Sequence, residues 1–117
     1  MVNIKKLMKD TLSDNGILNL TADKKVYFLH ANNPKPPYIE YEFYDENGEE
    51  WAENVEIATN YYVQVDIFNK VDYTDLENKI KEKMINVGFN RSMCADLYES
   101  DTQLFHKAMR FFITLTL

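Results

Sequence analysis

Asp66 sits between Val65 and Ile67 in a stretch that alternates apolar and polar residues, and it points away from the apolar set. With Glu40 or Glu42 beside it, it would supply paired carboxylates. Such a pair can pass a proton or hold a divalent cation. Solvated carboxylates on the outer face of a sheet are the plainer reading of the same pattern. His30, Cys94 and His106 are far apart, and neither an HxxxH nor a CxxC spacing occurs, so surface or strand-edge histidines are expected rather than a metal site. Cys94 has Arg91 as its only basic neighbour, which predicts a buried or half-buried structural thiol rather than a nucleophile. The chain has three glycines, too few to leave much room for a phosphate-cradling loop. The sequence displays no catalytic constellation, so no catalytic residue, cofactor or metal is expected.

The aromatic residues offer a different chemistry, that of contact. Tyr44, Trp51, Tyr61 and Tyr62 either line a ligand cleft or pack across strands, and for Tyr61 packing is the reading. Trp51 stands among acidic residues. It is either an anchor for another subunit or a cross-strand partner of Tyr44. Phe112 lies on the otherwise polar side of the last strand, a weaker sign of a contact surface. The candidate partner-contact residues are therefore Tyr44, Asp45, Glu46, Glu49, Glu50, Trp51 and Phe112.

These residues need elements to hold them. Ile4, Leu7, Met8 and Leu12 share one helical face, and Ser13-Asp14-Asn15-Gly16 should end that helix. Ile17, Leu18 and Leu20 then tuck against the core. Residues 25–30 read as a first strand, and Pro34, Pro36 and Pro37 force a loop after it. Residues 38–44 alternate as a half-buried second strand. A long third strand follows, with Val55, Ile57, Thr59, Tyr61, Val63, Val65 and Ile67 on one face.

Asn47-Gly48 is a strong hairpin signal, but parity opposes a tight turn there. Such a turn would put odd residues of the second strand beside even residues of the third, whereas both apolar sets are odd-numbered. Either a bulge or a long, loosely held acidic excursion over residues 45–56 is predicted. Leu76, Ile80, Met84 and Val87 mark a second helix, with Lys79, Lys81 and Lys83 on its wet side. Thr74-Asp75-Leu76-Glu77 reads as its capping box and Gly88 as its stop. Residues 89–117 read as two strands about a turn at Ser100-Asp101-Thr102, the last with Met109, Phe111, Ile113, Leu115 and Leu117 on one face. The predicted fold is α+β: a single mainly antiparallel sheet of four to five strands with two helices packed on one face.

At 117 residues one domain over residues 1–117 is expected. A net charge of −6 disfavours nonspecific attraction to nucleic acid. No stretch approaches membrane-spanning length, no signal-peptide core opens the chain, and one cysteine fits a reducing cytoplasm.

Pro37-Tyr38-Ile39-Glu40-Tyr41, then Asn60-Tyr61-Tyr62-Val63-Gln64-Val65-Asp66-Ile67-Phe68 with a helix directly after, resemble the tail-terminator and tail-completion (head-tail joining) proteins of long-tailed phages. Gly88-Phe89, Asp96-Leu97-Tyr98 and the run from His106 to Phe111 resemble the closing half of that family, so the likeness covers residues 26–117. The resemblance implies a structural virion subunit of a phage or prophage, not an enzyme. It would form a ring, commonly a hexamer, that caps the tail tube and joins it to the head. Its partners would be copies of itself, the tail tube protein and a head-tail connector protein, with DNA passing the lumen without specific binding. It would reside in the host cytoplasm during assembly and then in the virion tail or neck. A connector or adaptor that binds the portal is the alternative, followed by a small metal-dependent hydrolase or a ligand-binding α+β domain.

Overall fold

The structure, a computed structural model, describes residues 3–116. Helix α1 (Ile4–Leu12) starts where the Asn3 side chain accepts from the Lys5 and Lys6 amides, both at 3.1 Å. Met8 and Leu12 are buried, as their spacing predicts, and a one-turn helix α2 (Asn15–Leu18) adds buried Ile17. Leu20 remains exposed instead of tucking in.

Five strands follow: β1 (Val26–Phe28), β2 (Tyr38–Ala52), β3 (Val55–Asn69), β4 (Asn90–Glu99) and β5 (Leu104–Thr116). They form one sheet in the order β1-β2-β3-β5-β4. Only the short β1–β2 pair is parallel; the other pairs are antiparallel. Helix α3 (Thr74–Asn86) connects β3 to β4 and packs with α1 on one face of the sheet. The core lies between these layers: Ile39, Val63, Val65, Ile67, Met109 and Phe111 from the strands meet Met8, Leu12, Leu76, Ile80 and Met84 from the helices. The strand residues are all odd-numbered, so one face of the sheet is dry and the other carries the even set. Leu117, the last position of the expected apolar face, lies outside the described residues, as do Met1 and Val2.

The parity problem is solved by bulges. In the core ladder Phe43 faces Val63, so odd residues meet odd, but beyond Tyr44 the next pair is Asp45 with Tyr62. Tyr44 is one extra residue on β2, and that single offset converts the odd-even pairing a two-residue turn imposes into the odd-odd pairing the core needs. Two further irregularities, at Glu49 on β2 and Ile57 on β3, cancel each other. The predicted bulge is therefore present. The predicted loose excursion over residues 45–56 is not: β2 runs on to Ala52 and pairs with β3 to the end.

The turn is not at Asn47-Gly48 but at Glu53-Asn54, whose φ angles of 51° and 67° match the left-handed pair of a type I′ hairpin. Glutamate has no local hydrogen-bonding compensation for that conformation. Replacing Glu53 by Gly is expected to stabilise the chain by about 1 kcal/mol. A thermal unfolding midpoint higher by a few degrees would show it, and an unchanged midpoint would mean that the hairpin opens independently of the body.

The capping box at Thr74 is not formed. Tyr73 occupies the N-cap position without a side-chain bond, and Asp72 accepts from the Thr74 hydroxyl at 2.6 Å and from its amide at 3.3 Å. Glu77 is drawn away by Lys81, at 2.5 Å, and Lys107, at 3.5 Å. That ion pairing leaves Lys81 half-buried, and Lys83 is half-buried too, so only Lys79 of the three is fully wet. The other end is as expected: Gly88, at φ 112°, closes a Schellman motif in which Phe89 N–H donates to the Met84 carbonyl and Gly88 N–H to that of Ile85, both at 3.0 Å.

Candidate functional site

The helices leave the even-numbered face of the sheet uncovered, and a continuous polar and aromatic surface runs along it. At its base, Asp66 is 7% exposed. Its Oδ1 accepts from His106 Nε2 at 2.6 Å and from Gln64 Nε2 at 2.9 Å, and Gln64 in turn accepts from Arg110 Nε at 2.9 Å. A solvated outer carboxylate was the expectation. The residue that overturns it is His106, which bonds to Asp66 and stacks on Phe68 at 4.2 Å; Phe68 in turn packs with Ala31 of the 29–37 loop, Tyr38 and Leu104. His106 belongs to an interior strand, unlike the surface or edge histidine expected, whereas His30 is exposed. Glu40 lies directly across from Asp66 on the neighbouring strand, as one of the two expected carboxylate neighbours, but its own Oε2 accepts the Ala31 amide at 2.7 Å and pins the loop. Among the described residues no group of three or more His, Cys, Asp or Glu side chains could hold a metal ion. Cys94 is half-buried against the core.

Further along the same face the bulge turns Tyr44 onto Tyr62, with ring centroids 6.0 Å apart, and Tyr62 meets Phe112 at 6.2 Å. The Arg110 guanidinium lies over the Tyr44 ring at 4.6 Å. Two of the partner-contact candidates, Tyr44 and Phe112, are thus joined through Tyr62, which packs across strands as one of its two readings has it, and braced by Arg110, which was not singled out. Tyr62 and Arg110 were both visible in the alternation of β3 and β5, which places them on the side opposite the core. Asn60 extends the surface by donating to Asn47 at 3.0 Å and to Glu49 at 2.6 Å.

The remaining candidates sit on the arm, the outer part of the β2–β3 hairpin, which helps stretch the molecule to 52 × 28 × 24 Å. Asp45, Glu46, Glu49 and Glu50 are exposed along it, and Trp51 near its tip is 62% exposed. Trp51 does not meet Tyr44. Its cross-strand partner is Glu56, and its indole folds over Gly48, where an added Cβ would lie 2.6 Å from Trp51 Cζ2. Gly48 is therefore not a turn residue but the floor on which the indole rests. Compared with known proteins, the chain matches no protein-family model and no curated protein. No helix among the described residues is long and apolar enough to cross a membrane.

A second cluster lies on the helix side, in an open cleft of about 460 Å³ between the α3 N-terminus and the β4–β5 end. Lys107, only 7% exposed, reaches Asp96 at 3.2 Å and Glu77 at 3.5 Å, and the Tyr73 hydroxyl donates to Asp96 at 2.7 Å. The bonds from Tyr73 and Lys107 hold the Asp96 carboxyl below its usual range. Burial works against the Lys107 charge, but Asp96 and Glu77 more than offset it and its pKa is raised. Each member satisfies another, so the cluster ties α3 to the sheet edge. A charged residue, Lys107, between Phe105 and Met109 at the odd positions of an otherwise apolar stripe was the signal for it in the sequence.

Burial also raises the tyrosines: Tyr38 is pushed up to about 12 by burial, with the Glu40 and Glu99 charges adding, and Tyr41 and Tyr73 are raised for the same leading reason. A phenol whose folded pKa exceeds its unfolded value stabilises the fold fully below the unfolded value, about 10. That contribution is lost as pH rises toward the folded value, and Lys107 acts with the same sign. The urea midpoint is therefore expected to fall steadily from about pH 10 upward. Tyr38→Phe should flatten that fall, and an identical slope in the variant would assign the alkaline loss to other groups.

Proposed function

We propose that this chain is a structural assembly subunit of the phage tail-terminator or tail-completion kind. It would form a ring that caps a tail tube and joins it to the head, and its activity would be geometric rather than catalytic. The observation that carries this reading is the projecting, fully paired acidic arm with an exposed indole near its tip. Such an arm contributes little to its own subunit's core, and an exposed Trp is the residue type most often found anchoring a protein interface. The open aromatic face of Tyr44, Tyr62 and Phe112 supports it as further contact surface. The sequence likeness over residues 26–117 supplies the specific setting, and the net charge of −6 suits a lumen that DNA must pass without sticking.

The test is light scattering over a concentration series, alone and with tail tube protein, followed by electron microscopy of any larger species. Annular particles, or addition of this chain to tube ends, are expected. A monomer under every condition, tube included, would end the proposal. Binding to portal complexes but not to tubes would move the chain to the connector role.

A further inference from the structure

Charge is segregated along this chain. Residues 36–69 contain nine Asp or Glu and no Lys or Arg, whereas residues 3–35 contain six Lys and three Asp. Six of the nine in the first set project on the arm: Asp45, Glu46, Glu49, Glu50, Glu53 and Glu56. The second is concentrated on α1 and the approach to β1. There, Lys9, Lys24 and Lys25 surround a shallow hollow of about 280 Å³ with Leu18 and Val26 in its lining. Lys5 stands next to it, over the exposed Phe28 ring at 5.6 Å.

Neither set neutralises the other within the subunit. Among the described residues, none of the six arm carboxylates has a Lys, Arg or His nitrogen within 4.0 Å, and Lys5, Lys9, Lys24 and Lys25 have no carboxylate within that distance. Lys24 donates only to the Asn19 carbonyl, at 3.0 Å. The open edges match as well. Beyond Tyr41 the outer edge of β2 has no strand beside it, and β1, at the sheet margin, is three residues long.

We infer that the lysine hollow of α1 and β1 is the docking site for the acidic arm of a second copy of this chain. This rests on the assembly reading above and names the two surfaces that meet. The arm carries excess negative charge and an exposed indole; the hollow carries excess positive charge and an apolar lining from Leu18 and Val26. Each subunit presents one of each, so the contact is heterologous and repeats head to tail. It closes into a ring where the rotation permits. Because the charges are solvent-exposed, they steer and select the partner, and the contact weakens as salt rises.

The experiment uses the full chain. Equal amounts of unlabelled and nitrogen-15-labelled protein are treated with a zero-length carbodiimide, and cross-linked peptides are mapped by mass spectrometry. Mixed-isotope cross-links joining Lys9, Lys24 or Lys25 to Glu46, Glu49, Glu50 or Glu53 are expected. In parallel, a triple Lys9→Glu, Lys24→Glu, Lys25→Glu variant and a triple Glu49→Lys, Glu50→Lys, Glu53→Lys variant are followed by sedimentation. Each alone is expected to associate about a hundredfold more weakly than the wild type, since like charges brought together cost several kcal/mol. Mixing the two should restore association.

If the wild type assembles but neither reversal moves its midpoint and no such cross-links form, this inference fails and the assembly reading stands. If the wild type stays monomeric even with tube protein, both fail. Retention of duplex DNA through the same lysines, without arm cross-links, would also overturn it. Should a variant prove unfolded by circular dichroism, the wild-type cross-link map decides alone.

Discussion

Replacing Phe111 by Ala is expected to lower the unfolding free energy by about 3–5 kcal/mol, the range for deleting a buried aromatic ring. Phe111 has no exposed surface and is among the largest fully buried side chains. It sits on β5 between Val63 of β3 and Arg91 of β4, beneath the helix layer. Neighbouring strands fix its backbone from both sides, so the site cannot collapse by shifting a loop. A residual cavity should remain. Against a total of about 5–15 kcal/mol for a domain, the loss would leave a substantial unfolded population or none folded at all. Urea unfolding followed by circular dichroism measures it. A loss below about 2 kcal/mol would show that α1 and α3 move inward to fill the space. Phe112→Ala, one residue along, should cost much less, because that ring is half-buried on the open face.

Trp51→Ala should do the opposite. With the side chain 62% exposed and resting only on the arm, the subunit's own stability should change by no more than about 0.5 kcal/mol. Self-association, however, should weaken by about 2 kcal/mol or more, roughly thirtyfold in the midpoint concentration, if the indole is a buried anchor in the assembled form. Trp51 is the chain's one tryptophan, so its emission should shift to the blue as the wild type assembles. Equal association midpoints for the two proteins, with no shift in emission, would remove the arm tip from the interface. The two substitutions separate what holds the subunit together from what joins subunits.

Much of the scaffold was legible because period and burial coincide. The odd-numbered apolar runs of β3 and β5, the stripe Leu76, Ile80 and Met84, and the stop at Gly88 are local patterns that the fold uses as written. The parity mismatch between β2 and β3 required a bulge and received one. Three features were not legible in the same way. At Glu53-Asn54 only Asn54 suits the left-handed conformation, so Asn47-Gly48 is the stronger local turn signal. The capping box failed because Glu77 pairs with Lys81, one turn along, at 2.5 Å and with Lys107, thirty residues away, at 3.5 Å. Asp66 reads as solvated from its own strand because its partner His106 lies forty residues away in the sequence. Among the contact candidates, the alternation placed Tyr44 and Phe112 on one side without revealing that Tyr62 and Arg110 link them. For Asp66 and for the surface joining Tyr44 to Phe112, a non-local partner decided the outcome of a local signal.

The unpaired Tyr44 has a corollary for how such a chain tolerates changes in length. Deleting it would let Asp45 follow Phe43 in an unbroken ladder, and every inward side chain would keep its orientation. Removing a single residue from the Ile39–Phe43 rungs would instead invert the remainder of β2 and turn Glu40 and Glu42 toward the oily layer. Indels should therefore be accepted at the Tyr44 hinge and rejected a few rungs away. The reach and pitch of the limb can diverge among related chains there while the body stays the same.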